Sequence, residues 1–225
     1  MRHVMSSLSG VPDVAFSSLP RPIGGPTKRT FDIVAALFGI IVFSPLLLAC
    51  YLLVVANSGR PGLFRHRRIG FGGREFTCLK FRTMAADAEK RLEQHLAADA
   101  EAAREWMCNH KLQDDPRITR IGKIMRRTSL DELPQLFNIL KGEMSLVGPR
   151  PIVVEEVAKY QEYFSVYASG RPGLTGLWQV KGRNETTYAE RVAFDVGYLR
   201  NWSLRRDIAI VLMTFTRILE GRGAY

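Results

Sequence analysis

Residues 33–56 read IVAALFGIIVFSPLLLACYLLVVA, twenty-four residues without a charge and with Ser44-Pro45 at their middle. A run of eighteen or more apolar residues is a membrane segment by length. As an unbroken helix it would extend about 36 Å at 1.5 Å per residue, enough to span. Pro45 removes a backbone donor and clashes with the preceding turn, which predicts a kink or break there. Lys28 and Arg29 precede the run, and Arg60, Arg65, Arg67 and Arg68 follow it. Cationic residues favour the cytoplasmic side, and a spanning helix carries them mainly at one end. Basic flanks at both ends predict a segment that enters the bilayer, turns at Ser44-Pro45 and leaves by the same face. An ordinary spanning helix that tolerates its proline is the alternative.

The run does not read as a signal peptide. Its apolar part is too long, it starts about thirty residues in, and no small-residue cleavage site follows. Beyond it, enough chain remains for a folded domain. Cys50, Cys78 and Cys108 fit no metal spacing and suit reduced, buried thiols on the cytoplasmic side. The 225 residues hold 32 Lys and Arg against 22 Asp and Glu, a formal charge of +10. That balance calls for an anionic partner. Next to a membrane segment, lipid headgroups and phosphates suit it better than nucleic acid, for which no helix-turn-helix, zinc-finger or aromatic RNA-binding signature is present.

Outward from the apolar run, residues 1–27 are a Ser-, Pro- and Gly-rich tail, expected to be mobile. Residues 63–81 form a β-hairpin around Gly70-Phe71-Gly72-Gly73. Residues 87–112 are predicted as one helix with a solvated charged face. A short basic amphipathic stretch covers 118–125, and a helix after Ser129 closes at Gly142. Further helices are predicted at 155–164, 188–198 and 204–219, the last capped by Ser203 with Ile208, Leu212, Phe215 and Leu219 on one face. Residues 171–184 read as a loop with room for one strand.

The adjacent acids Asp131 and Glu132 are the first candidates for chemistry. Ser129 and Glu132 also match the capping box Ser-x-x-Glu, which would explain both acids without catalysis. Arg126 and Arg127 stand just before them, a setting that suits a phosphate oxygen approaching a carboxylate. Lys80 and Arg82 in Lys80-Phe81-Arg82-Thr83-Met84, Arg150 in Gly148-Pro149-Arg150-Pro151, and Arg171 in Arg171-Pro172-Gly173 add phosphate ligands; Arg183 follows. Asp195 and Asp207 are further acids that could complete a Mg²⁺ site with the pair. The four histidines show no zinc spacing. Asn184-Glu185-Thr186 matches a glycosylation acceptor, which a cytoplasmic loop would not present to that machinery.

Taken together, these motifs resemble the bacterial sugar transferases that begin polysaccharide assembly on a lipid carrier, the monotopic polyprenyl-phosphate phosphoglycosyl transferases. The resemblance rests on Lys28-Arg29-x-Phe31-Asp32, Ser44-Pro45, Lys80-Phe81-Arg82-Thr83-Met84, Ser129-Leu130-Asp131-Glu132-Leu133-Pro134, Gly148-Pro149-Arg150-Pro151 and Arg171-Pro172-Gly173-Leu174-Thr175-Gly176. It extends over about residues 28–225, and is nearest to exopolysaccharide-production enzymes that load galactose 1-phosphate onto undecaprenyl phosphate.

The resemblance implies an α+β, mainly helical fold. A re-entrant helix–break–helix at residues 28–58 would carry a cytoplasmic α/β catalytic domain at 59–225, with a short hairpin and interfacial amphipathic helices. It implies Asp131 as nucleophile toward a UDP-sugar, a covalent sugar phosphate, release of UMP, and undecaprenyl phosphate as acceptor. Glu132, Asp131 and Asp195 are implied at Mg²⁺, and Lys80, Arg82, Arg126, Arg150 and Arg171 at phosphates. The expected setting is the cytoplasmic face of a bacterial inner membrane, with anionic lipid as a further partner and a homodimer admitted. Galactose or glucose 1-phosphate is the expected cargo, although no residue visibly reads the sugar. The competing class is a non-catalytic scaffold that binds anionic lipid at the membrane surface.

Overall fold

The computed structural model describes residues 21–109, 112–182 and 186–219. Most of the expected tail lies outside the described residues, as do Arg183 and the Asn184-Glu185 of the acceptor-like triplet. The chain is mainly helical, with a small amount of sheet. The apolar run lies in α1, Gly25–Ser58, a helix of 34 residues with Pro45 inside it. Helical structure continues through Ser44-Pro45, so Pro45 does not interrupt the helix, and a kink there is compatible with it. One proline removes a single donor from a long ladder, and apolar helix-forming neighbours on both sides keep the rest closed. Among the described residues, α1 is the one helix long and apolar enough to cross a membrane.

The chain divides into two compact units, and the division within α1 falls between Val42 and Phe43, next to Ser44-Pro45. Strands β1, Leu63–Ile69, and β2, Glu75–Phe81, form the expected two-stranded sheet. Their connection is too short for anything but an antiparallel pair.

The first unit holds the described residues up to 42, with 65–78 and those from 135 onward. Its helices are α5, Gln135–Lys141; α6, Val154–Val157; α7, Phe164–Ala168; α8, Leu177–Lys181; α9, Tyr188–Arg200; and α10, Leu204–Leu219. Two elements here were not foreseen from sequence. Strand β3, Ser145–Val147, pairs in parallel with β4, Gly173–Thr175, and α8 follows where a loop was expected. The pairing brings the two Arg-Pro motifs backbone to backbone. A Cβ at Gly148 would lie 2.4 Å from the Arg171 carbonyl oxygen, and one at Gly173 would lie 2.1 Å from the Gly148 nitrogen. Only glycine allows that approach. Ile152, Val157, Tyr160, Phe164, Tyr167, Val192 and Val196 form one core, and Val147, Val180, Tyr198, Leu199 and Ile210 another. The helix expected at 155–164 is interrupted at Gln161, whose φ of 48° leaves the right-handed region.

The first turns of α1 are tied into this unit by polar side chains. Lys28 Nζ donates to Asp207 Oδ2 at 2.6 Å and to the Tyr198 hydroxyl at 3.1 Å. Tyr198 donates to the other Asp207 oxygen at 2.6 Å, and Trp202 Nε1 to Asp207 Oδ2 at 3.1 Å. Asp32 Oδ1 accepts from Ser145 Oγ and the Leu146 N–H, both at 2.9 Å. Arg29 spreads its fork over the carbonyls of Ile139 and Leu140 and so caps the end of α5. Asp207, which the sequence offered as a metal ligand, is thus the buried counter-ion of Lys28.

The second unit holds residues 43–64 with the described part of 79–134. Cys50, Val54, Phe81 and Met125 form its core, with Leu47, Tyr51, Leu63, Ile121 and Leu130 packed around them. The helix expected at 87–112 is two helices, α2, Ala88–Ala98, and α3, Ala100–Asn109. Asp99 divides them because its carboxylate accepts from the N–H groups of Glu101 and Ala102, capping α3 and ending α2. Next comes α4, Arg120–Arg127, capped by Thr119 Oγ1 on the Gly122 N–H.

Lys28→Met should lower the stability of the folded chain by about 3–5 kcal/mol, because it leaves Asp207 buried without its cation. Thermal unfolding in detergent measures this. Asp207→Asn in the same chain should recover part of the loss.

Candidate active site

The acid pair sits at the end of a bend built by backbone geometry. Ser129 takes the left-handed conformation, φ 56° and ψ 18°, which stops α4 and turns the chain into a single 3₁₀ turn, Leu130–Glu132. A non-glycine residue there is strained by about 1–2 kcal/mol. Ser129 makes no side-chain cap, so the capping box does not form. Glu132 is instead 2.6 Å from Lys80 Nζ, which reaches it from β2. Pro134 stands just before α5, where a missing donor is harmless. The structural explanation that the sequence allowed for the two acids is therefore not the one the chain uses.

Asp131 is 8 % exposed. Burial, and then the neighbouring Glu132 carboxylate, push its carboxyl up to about 6, while Lys80 and Arg126 pull it down. Arg126 lies on α4, and its Nε donates to Thr83 Oγ1 at 3.0 Å. Thr83 is itself buried. Its carbonyl accepts the Thr119 N–H at 3.0 Å, Ala85 N–H donates to the Arg117 carbonyl at 2.8 Å, and Met84 bridges Ile118. The segment after β2 is thereby laid along the entry to α4. Arg82 follows β2 directly, and its N–H donates to Gly62 O at 3.0 Å. The second unit thus gathers Lys80, Arg126, Asp131 and Glu132, and also contains Arg82.

Arg150, Arg171 and Asp195 belong to the first unit. Arg171 Nε donates to the Gly142 carbonyl at 2.8 Å, beyond the end of α5. Asp195, on α9, is 1 % exposed and accepts from the Tyr160 hydroxyl at 2.7 Å. Burial raises it to about 7, against the pull of Tyr160 and Arg191. Arg150 lies 5.7 Å from the Trp178 ring centre. Arg191 is a residue the sequence reading missed. It lies four residues before Asp195 on α9, donates to Glu156 Oε1 at 3.1 Å, and has its guanidinium carbon 4.9 Å from the ring centres of both Trp178 and Tyr188. The i, i+4 spacing of Arg191 and Asp195 was its one available signal.

No group of three or more His, Cys, Asp or Glu side chains with metal-binding geometry occurs among the described residues. Asp131 and Glu132 nevertheless fit Mg²⁺, which commonly takes one or two carboxylates and completes its shell with phosphate oxygens and water. The mutual repulsion that raises Asp131 is the kind a cation relieves. The expectation that Asp195 joins them rests on its donor type and on the resemblance.

The raised Asp131 carboxyl has a consequence for stability. The folded chain holds this proton more tightly than the unfolded chain, where the group titrates near 3.8. Losing the proton between about pH 4 and 6 therefore destabilises the fold, by about 3 kcal/mol at most above pH 7. Asp131→Asn should melt higher than the native protein at pH 8 in the presence of chelator, and the gap should close below about pH 4. Equal melting at pH 8 would contradict the burial argument.

Known proteins are similar to this chain in sequence. An uncharacterised sugar transferase of Haemophilus influenzae is 54% identical over 198 residues, 88% of this chain and 42% of that protein. The exopolysaccharide production protein ExoY of Rhizobium meliloti is 49% identical over 205 residues, 91% of each chain. The undecaprenyl-phosphate galactose phosphotransferase of Salmonella typhimurium is 48% identical over 198 residues, 88% of this chain and 41% of that protein. The chain thus spans about two fifths of two of these relatives and nine tenths of the third. The sequence profile of the bacterial sugar transferases matches residues 24–221, so this chain belongs to the bacterial sugar transferase family.

Proposed function

We propose that the chain transfers a sugar 1-phosphate from a UDP-sugar to undecaprenyl phosphate in exopolysaccharide synthesis, with UMP as the leaving group and Asp131 as a covalent carrier. The observation that carries the reading is the Asp131 carboxyl, buried beside Glu132 and under the fields of Lys80 and Arg126. Relatives named for exopolysaccharide production and for galactose phosphotransfer to undecaprenyl phosphate support the substrate classes.

An Asp131 oxygen attacks the β-phosphorus of the UDP-sugar. The bond from that phosphorus to the bridging oxygen breaks, and UMP leaves with the oxygen. A phosphate oxygen of undecaprenyl phosphate then attacks the same phosphorus, the bond to Asp131 breaks, and the carboxylate is restored. A carboxyl near 6 is more nucleophilic than an ordinary aspartate and still mostly ionised at neutral pH. Arg126 offsets charge on the phosphoryl oxygens, and Lys80 keeps Glu132 from repelling the incoming phosphate. Asp131 and Glu132 would hold Mg²⁺, which when bound withdraws charge from those oxygens.

The same reading places the chain on the cytoplasmic face of the inner membrane, with α1 re-entrant. Val34, Leu37, Phe38, Ile41, Leu48 and Leu52 leave large apolar surfaces uncovered along α1. Its amino-terminal end is hydrogen-bonded to residues 139–207, and no second span occurs among the described residues after it. These two observations support placing both ends of the helix on the same side. Ile208, Leu212 and Phe215 on α10 form an exposed apolar face suited to the bilayer interface.

Asp131→Asn should fold, insert and release no UMP when given UDP-galactose, undecaprenyl phosphate and Mg²⁺. Native protein should lose this activity in excess chelator. UMP release by the variant without deamidation removes Asp131 from the mechanism, and a panel of UDP-sugars identifies the cargo. For topology, a thiol from Ser9→Cys, with Cys50, Cys78 and Cys108 replaced, should label from the cytoplasmic side of sealed vesicles. Labelling from the periplasmic side alone would mean that α1 spans.

A further inference from the structure

We propose that Thr83 is a positioning residue for the transfer, acting through Arg126, and that Gly122 is the residue that gives it access to α4. This deepens the proposed function and rests on the roles given there to Asp131 and Arg126. Thr83 meets α4 twice. Its carbonyl accepts the Thr119 N–H at the helix cap and lies so close to Gly122 that a Cβ there would approach within 2.0 Å of the oxygen. One turn later, its hydroxyl accepts the Arg126 Nε–H at 3.0 Å. Gly122 and Arg126 are four residues apart and share a face of the helix. The backbone of Thr83 therefore seats against the helix at the glycine, and its side chain meets the arginine.

This contact decides which edge of the guanidinium is offered to a ligand. With Nε committed to Thr83, the two terminal amino groups form the remaining edge, and that pair of donors can grip two phosphate oxygens at once. The anchor also resists collapse. Asp131 and Asp115 both attract Arg126, and Arg117 repels it. A long side chain in such a field would settle on a carboxylate, whereas a bond to a neutral, buried hydroxyl fixes its plane without neutralising it. Thr83 itself need not touch the substrate.

The test is UMP release by the full chain in lipid nanodiscs, with UDP-sugar and undecaprenyl phosphate. Thr83→Val removes the hydroxyl and keeps the shape, and it should lower kcat/KM about tenfold, the order expected when a hydrogen bond to a charged group is lost. Thr83→Ser should restore most of the rate. Gly122→Ala should resemble Thr83→Val. Arg126→Ala should lose more, and adding Thr83→Val to it should lower the rate no further, because Thr83 acts only through that arginine. Should Thr83→Val fail to fold, Thr83→Ala gives the same comparison. A Thr83→Val rate equal to native, a Ser variant as slow as the Val variant, or losses that multiply in the double variant would each overturn the inference and leave the transferase reading intact. A native protein that releases UMP from no UDP-sugar would sink both.

Discussion

The contact between Lys28 Nζ and Asp207 Oδ2, with both side chains out of water, fixes where the apolar helix begins. A buried lysine or a buried aspartate alone is costly, so neither can leave the other without a large penalty. Tyr198 and Trp202 complete the shell of Asp207, while the adjacent Arg29 bonds to the backbone of α5 and Asp32, one turn further on, to that of β3. An amino end held by so many polar groups cannot lie in a different compartment from residues 139–207. The basic pair before the apolar run is not the pair of free cations that a charge-asymmetry argument assumes. Lys28 is neutralised by Asp207, and Arg29 is spent on two carbonyls.

Much of the fold was legible where one periodicity governed a segment. The hairpin of β1 and β2, the helices α9 and α10, and the Ser203 cap on α10 follow from alternation, from helical spacing and from a single hydroxyl. What escaped has physical causes. Strand β3 has three residues, too few to carry a period, and its pairing with β4 depends on glycines whose use shows only when two chain segments meet. Asp99 reads as an ordinary solvated acid inside an alanine-rich helix until its carboxylate is seen capping α3.

The acid pair was found from sequence, but its electrostatics were not. Spacing could supply the capping box as an alternative, and only the left-handed turn at Ser129 removes it. That turn directs Glu132 to Lys80 and leaves Asp131 buried. The two carboxylates then have different environments, one neutralised by a lysine and the other raised toward neutrality by burial. Such a division is how two like groups side by side take different tasks.

The net charge of +10 invites a reading in which every cation waits for an anion. The chain uses many of them internally. Arg29 and Arg171 donate to backbone carbonyls around α5, Arg117 grips Asp115 with two nitrogens, and Arg191 is packed against two aromatic rings and Glu156. Arginine suits all these places because its flat, weakly hydrated head stacks and donates without deprotonating. Charge counting therefore overstates the phosphate-binding capacity of the sequence. Arg126 differs from Arg117 and Arg191 in that its side-chain partner is a neutral hydroxyl rather than a carboxylate.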